Sequence, residues 1–324
     1  MKSLKKIGGR SGLRVCEGAN MSQTTNDAIV AQVKQETGAK TVRALQKGFS
    51  THDKYVLDER LLLRIFPIEE QEARRKEFET LKQLDVYSSD VPTAYKFQTC
   101  PEVVRAYMLL SYIPGVDGEE VLPTLSKDAQ YHVGYEAGQM LVQLHECPAP
   151  ADVSPWYEHK KNKSDRYIDA FEEMSFERTF KETLVRAIRE RETLMKGRPN
   201  RFQHDDVYPG NIIIHQGRFA GLIDFGQYDW GDPLHDLCKL GFFSKAVSTP
   251  FTTGVIDGYH GGKTPTDHFW SLYALYSAMH AVSAVVWIAR NDRSSEDEEM
   301  FATYAREVVA DHDDFRSDKP RWYK

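Results

Sequence analysis

Cysteine is scarce in this chain. Cys16, Cys100, Cys147 and Cys238 are spread over 324 positions, with no CxxC pair and no Cys/His spacing suited to zinc. That excludes a disulfide framework and a zinc site, and leaves reduced thiols in a cytoplasmic protein as the expectation. A signal peptide is lacking as well: residues 1–20 carry Lys2, Lys5, Lys6, Arg10 and Arg14 but no apolar run. Nor is there an excess of positive charge. The 42 Lys and Arg stand against 48 Asp and Glu, a net charge of −6, so a nucleic-acid partner is not expected. Internal repeats and low-complexity tracts are absent. One stretch, residues 269–289, lacks Asp, Glu, Lys and Arg for long enough to cross a bilayer. Its Ser271, Tyr273, Tyr276, Ser277, His280 and Ser283 suit a buried helix of a helical domain better, so no membrane partner is expected.

What is present fits two lobes, because 324 residues exceed the usual size of one core. Residues 41–66 read as strands around a turn at Lys47-Gly48-Phe49-Ser50-Thr51, with Leu61-Leu62-Leu63-Arg64-Ile65-Phe66 as a buried strand. Pro67 opens a helix to about Leu84 that places Phe78, Leu81 and Leu84 on one face and pairs Glu70 with Arg74 and Glu72 with Lys76 on the exposed side. Two further strands, residues 94–99 and 103–113, end at Pro114-Gly115. The rest reads as helical apart from a hairpin over residues 212–223 that turns at Gln216-Gly217-Arg218. The expected organisation is an extension or upstream start over residues 1–20, a β-rich lobe over 21–113 and a helical lobe over 114–324. The first helix of the β-rich lobe is expected at residues 27–37.

The chemistry concentrates in 23 residues: His204-Asp205-Asp206-Val207-Tyr208-Pro209-Gly210-Asn211, the hairpin, and Ile223-Asp224-Phe225-Gly226. An Asp followed five residues later by Asn, with a second Asp beyond two short strands, is the layout of a phosphoryl-transfer loop. Asp206 would take the proton of the attacking hydroxyl. Asn211 offers a neutral amide oxygen and Asp224 a charged one to magnesium on the nucleotide phosphates. His204 is expected to brace backbone, and Asp205 to be a solvated side chain.

On these residues the chain resembles the aminoglycoside phosphotransferase family, the small-molecule branch of the protein-kinase-like fold. That family's loop reads His-Gly-Asp-x-His-Pro-Gly-Asn, then Ile-Asp-Phe/Trp, then Gly-Asp-Pro-x-x-Asp-Leu. This chain has the loop above, Ile223-Asp224-Phe225 and Gly231-Asp232-Pro233-Leu234-His235-Asp236-Leu237. Leu141-Val142-Gln143-Leu144-His145 is similar to the family's Leu-x-x-Leu-His helix end. The likeness runs from about Val42 to Ala289, with Asp205 for Gly and Tyr208 for His as departures.

The resemblance implies an α+β, bilobal fold and an ATP- and magnesium-dependent kinase. It places Arg64 on the α and β phosphates, where the fold usually carries Lys, with Glu77 as its acidic partner. Gly48 and Ser50 fall in the phosphate-covering loop. The Ser111 carbonyl and the Ile113 N–H fall in the hinge against the adenine edge. Asp236 or Asp232 falls where the catalytic loop is braced. Leu110 is too small to select between ATP and GTP, so both stay open.

The expected partner is a small-molecule hydroxyl acceptor of cationic character, with an aminoglycoside leading. Glu296-Asp297-Glu298-Glu299 and Asp311, Asp313 and Asp314 could steer it, although helix-end charge explains such runs equally well. Choline, methylthioribose, homoserine, fructosamine and macrolides are the alternatives, and the segment from Trp156 to Lys196, where the family builds its acceptor cleft, does not decide among them. A protein kinase is disfavoured. There is no Gly-x-Gly-x-x-Gly, no Val-Ala-Ile-Lys and no Ala-Pro-Glu, and seven residues between Asp224 and Asp232 are too few for a peptide-docking segment. A binding module with a dead site is disfavoured by the presence of base and metal ligands.

Overall fold

The computed structural model describes residues 17–45, 52–291 and 293–324. The chain forms two compact units. One runs to Glu72 and includes Tyr95–Tyr112; the other joins Ala73–Ala94 to Ile113–Lys324.

The first stretch of chain supplies α1 (Glu17–Thr37), β1 (Val42–Ala44), β2 (Asp53–Leu57), β3 (Leu61–Pro67), α2 (Gln71–Leu84), β4 (Ala94–Cys100) and β5 (Arg105–Ser111). The strands form one sheet in the order β1-β2-β3-β5-β4, and the β1–β2, β2–β3 and β3–β5 pairs are antiparallel. The two-residue period of β3 sends Leu63 and Ile65 to one face, opposite Leu109 and Tyr107 of β5. Ile29 and Val33 of α1, one turn apart, pack on that face with Leu57. Full burial of such a side chain contributes about 1.5–3 kcal/mol, which anchors an otherwise polar helix. Arg64 lies at the alternate position, on the opposite side of the strand. Helix α1 begins at Glu17, ten residues before the expected start, and so overlaps the segment read as an extension. A helix nucleated by a packed turn extends at little cost, even through Ser, Thr and Asn. Gly48 and Ser50 lie outside the described residues.

The second unit adds β6 (Val116–Asp117), α3 (Gly118–Val121), α4 (Lys127–Leu144), α5 (Trp156–Glu172), α6 (Arg178–Arg191), β7 (Arg201–Gln203), β8 (Ile212–His215), β9 (Arg218–Leu222), β10 (Asp229–Gly231), α7 (Lys245–Val247), α8 (Thr249–Tyr259), α9 (Asp267–Arg290) and α10 (Ser295–Asp311). The expected helical lobe therefore carries three short strands besides the hairpin: β6 pairs with β8, and β10 with β7. Two or three residues are too few to show alternation. Serine or threonine caps start α4, α8, α9 and α10. Ser126, Ser248, Thr266 and Ser294 each accept an N–H from three residues on, at 3.0–3.2 Å.

Helix α9 is long and apolar enough to cross a membrane by length and composition, yet 78% of its most apolar window is buried inside the protein. It is the axis of a core shared by Trp156 and Phe171 of α5, Leu184 and Ile188 of α6, and Ala305 and Val308 of α10. Helices α4 and α8 approach to backbone contact. Gly134 and Gly138 of α4 meet the Phe251 and Val255 carbonyls, while Gly254 and Gly258 of α8 meet those of Tyr131 and Tyr135. A Cβ at any of the four would collide with main chain, so only glycine permits this approach. The helices run in the same direction, which brings their C-terminal ends together: His145 Nδ1 lies 2.9 Å from the Tyr259 hydroxyl.

Candidate active site

The loop from His204 to Asn211 leaves β7 and enters β8 through a short turn at Pro209–Asn211. The β8–β9 hairpin turns on Gln216 and Gly217, both at positive φ (52° and 77°), a geometry that suits the twist of the flanking strands. Arg218, expected in the turn, is the first residue of β9. The register pairs Ile212 with Leu222, and Ile223 N–H donates to the Asn211 carbonyl at 3.0 Å. The hairpin thus returns Asp224 to the side of Asn211. Asp224 itself holds a left-handed backbone (φ 66°, ψ 67°), a conformation that costs a non-glycine residue of order 1–3 kcal/mol.

Asp206 and Asn211 interlock. Asn211 Nδ2 donates to the Asp206 carbonyl and to Asp206 Oδ2, both at 2.9 Å. Because both partners are acceptors, the amide nitrogen is the end that faces them. The amide oxygen is left as the group on offer to a cation, and Asp224 supplies a carboxylate. A hard cation of magnesium type uses one or two such side chains and completes its shell with phosphate and water oxygens. Among the described residues, no group of three or more His, Cys, Asp or Glu forms a cation cage.

Asp236 holds the loop from behind. Its fully buried carboxylate accepts the His204 and Asp205 backbone N–H groups, both at 2.7 Å, and faces His145 Nε2 at 3.0 Å. The α4–α8 contact therefore acts on the site through Tyr259, His145 and Asp236. His204 Nε2 lies 3.0 Å from the Ile223 carbonyl, and its ring stands edge-on to Phe225 at 4.7 Å. It spans from the loop to the strand end that carries Asp224. Asp232 works one layer further out. It takes a two-point contact from Arg198 at 2.7 and 2.8 Å, accepts the Tyr276 hydroxyl at 2.7 Å, and receives Gln203 Nε2 on its carbonyl.

Glu77 is buried on α2 and accepts Arg74 at 2.6 Å. Arg74, expected on the exposed side, is instead mostly buried beside Gly226, where glycine leaves room for it next to Asp224. Glu70, expected to pair with Arg74, contacts His52 at 2.8 Å. In the sheet unit, Arg64 Nη2 lies 3.4 Å from His52 Nδ1. Ser111 ends β5, and Ile113 is the first residue of the second unit's long segment, with its side chain against Gly221.

Two features escaped the sequence reading. Asp205 is not a solvated side chain: it faces His235 at 3.1 Å and is largely withdrawn from water. Burial opposes its charge, but His235, Lys239 and Lys160 outweigh burial and hold it well below the usual carboxylate range. Lys239 donates to Asp206 Oδ1 at 2.7 Å. The only trace of it in the sequence is a single charge in the otherwise uncharged stretch 237–244.

Residues 41–272 match the family model described as the phosphotransferase enzyme family. The chain belongs to that family. This phosphotransferase is a small-molecule kinase with a hydroxyl acceptor and a nucleotide donor. Its fold is that of ADP-bound aminoglycoside phosphotransferase APH(2'')-Ib (TM-score 0.61, 19% identity, 87% of this chain and 98% of that one). Similar in the same way are the GDP and kanamycin complex of APH(2'')-IIIa (0.65, 17%, 87% and 98%) and the macrolide 2'-phosphotransferase MphH from Brachybacterium faecium (0.61, 16%, 86% and 97%). No curated protein matches the phosphotransferase in sequence.

Proposed function

We propose that this phosphotransferase moves the γ-phosphoryl group of ATP to a hydroxyl of a cationic small molecule, an aminoglycoside-type antibiotic, in the cytoplasm. Asp206 is the base, and Asn211 and Asp224 hold magnesium, whose charge when bound offsets that of the nucleotide phosphates. The observation that carries this reading is the Asp206–Asn211 interlock with Asp224 returned beside it. Arg64 and Glu77, Gly48 and Ser50, and the Ser111–Ile113 hinge are assigned to the nucleotide. Buried free thiols at Cys100, Cys147 and Cys238 suit a reducing compartment.

The acidic runs that first suggested a cationic acceptor have other occupations. Glu296, Asp297 and Glu298 form the first turn of α10, where they complement the helix dipole. Asp311 pairs with Lys245 at 2.5 Å, Asp313 with Arg321 at 2.5 Å and Asp314 with Arg316 at 3.5 Å. What favours a cation lies nearer the base. Burial raises the Tyr208 phenol, and the carboxylates of Asp206, Glu119, Asp224 and Asp117 raise it further. Gly118 packs on Pro209, which keeps α3 and its acids against the loop. Negative charge concentrated beside the base attracts an amine-bearing acceptor.

The test is nucleotide consumption with magnesium against aminoglycosides, macrolides, choline, methylthioribose and sugar amines. Fastest turnover is expected with an aminoglycoside. Preference for methylthioribose, which carries no amine, would overturn the cationic assignment while leaving the transfer chemistry intact.

A further inference from the structure

The Asp206 carboxylate is gripped on both oxygens. Asn211 Nδ2 donates to Oδ2, and Lys239 Nζ donates to Oδ1. Each oxygen keeps a lone pair for an incoming hydroxyl. Lys239 follows the Pro233–Cys238 turn and directly precedes a π-helical turn at Leu240–Ser244, the kind of irregularity that re-aims side chains near working sites. Burial works against its charge, but Asp206 and Asp205 together outweigh burial and raise its pKa.

Asp205 is the second oddity. It stands where the resembled loop has glycine, and its φ of 56° lies in the left-handed region that favours glycine. An acid kept there against backbone preference needs a compensating interaction. The structure supplies one. Asp205 Oδ1 faces His235 Nδ1 at 3.1 Å, and His235 Nε2 lies 2.5 Å from Lys160 Nζ of α5. A lysine only donates, so Nε2 accepts and the ring proton sits on Nδ1, which lies near Asp205 but makes no hydrogen bond. Burial, then the charge of Lys160, lowers the His235 pKa and keeps the ring neutral.

We propose that Lys239 is a positioning residue for Asp206, its ammonium holding the carboxylate through Oδ1. The proposal rests on Asp206 being the base. In the transfer, the acceptor's O–H proton passes to Asp206 and the acceptor oxygen bonds to the γ-phosphorus. The bond from that phosphorus to the β,γ-bridging oxygen breaks, and the nucleoside diphosphate leaves with the electron pair. Asp206 is then neutral. The ammonium stays in place, and the carboxylate recovers the same orientation when its proton passes to water.

The experiment measures kcat, KM for nucleotide and acceptor, and magnesium-nucleotide Kd for wild type, Asp206→Asn, Lys239→Met and Lys239→Arg. A base out of position lowers kcat by about 10²-fold in Lys239→Met while nucleotide Kd holds. Wild-type kcat in Lys239→Met overturns the proposal. Should Lys239→Met not fold, Lys239→Arg carries the test, since it keeps the charge and moves it off Oδ1. There too a fall in kcat at constant Kd supports the proposal, and wild-type kcat overturns it. Full turnover by Asp206→Asn defeats the base reading itself. An inactive Asp206→Asn with normal Lys239 variants defeats only the positioning role.

Discussion

Replacing Asp236 by alanine removes the acceptor of two buried backbone N–H groups, those of His204 and Asp205, and of the His145 ring. The Asp236 side chain is fully buried, so bulk solvent does not reach these groups. Hydrogen bonds to a charged acceptor contribute about 1.5–3 kcal/mol each, so the two amides alone put the cost at about 3–6 kcal/mol. For a unit of this size, a loss of that order lowers the melting temperature on the order of 10 °C. The same loss frees the loop that carries Asp206, so kcat should fall along with stability while the hairpin end that carries Asp224 is unaffected. Thermal unfolding followed by tryptophan fluorescence, with turnover measured well below the transition, checks both parts. A melting temperature within about 2 °C of wild type, with unchanged kcat, would refute the bracing role and the energetics derived from it.

Gly258→Ala places a methyl group against the Tyr135 carbonyl, so the α4–α8 contact must open. A cost of about 1–3 kcal/mol is expected from unfolding curves, and an unaltered midpoint would show that the helices are not held in backbone contact. His312 is buried against Phe315, and burial lowers its pKa from 6.5 to about 4. As pH falls, the unfolded chain takes up this proton first, so stability of about 3 kcal/mol is fully present above pH 6.5 and is lost toward pH 4. His312→Gln should flatten that part of the stability profile, and a slope equal to wild type would sink the prediction. Asp224→Ala should abolish magnesium-dependent nucleotide binding in a titration, whereas unchanged affinity would contradict the metal role.

The sequence made the strands of the sheet, the hairpin and the buried character of α9 legible, because each rests on local pattern: an apolar run, a two-residue turn, a charge-free stretch. It also made the family legible, through residues that lie together in the chain. What stayed hidden depends on contacts between distant positions. Lys239 meets Asp206 across 33 residues, and nothing local marks it as an active-site group rather than a surface lysine. Asp205 looked solvated because a polar residue in a loop is usually so. Its left-handed backbone and its contact with His235 are properties of the folded loop. Arg74 was assigned to the exposed face by helical spacing, but Gly226 opens a space on the other side that spacing does not reveal. The strands β6, β7 and β10 are too short to carry a period, and exist because β6 pairs with β8 and β7 with β10.

The central claim is that Asp206 receives the proton of the acceptor hydroxyl, and Asp206→Asn tests it most directly. The variant keeps the shape of the side chain and removes its basicity. With ATP, magnesium and an aminoglycoside, transfer is expected to fall about 10²–10⁴-fold while nucleotide affinity stays at the wild-type value. Turnover close to wild type in a correctly folded Asp206→Asn protein would contradict the account.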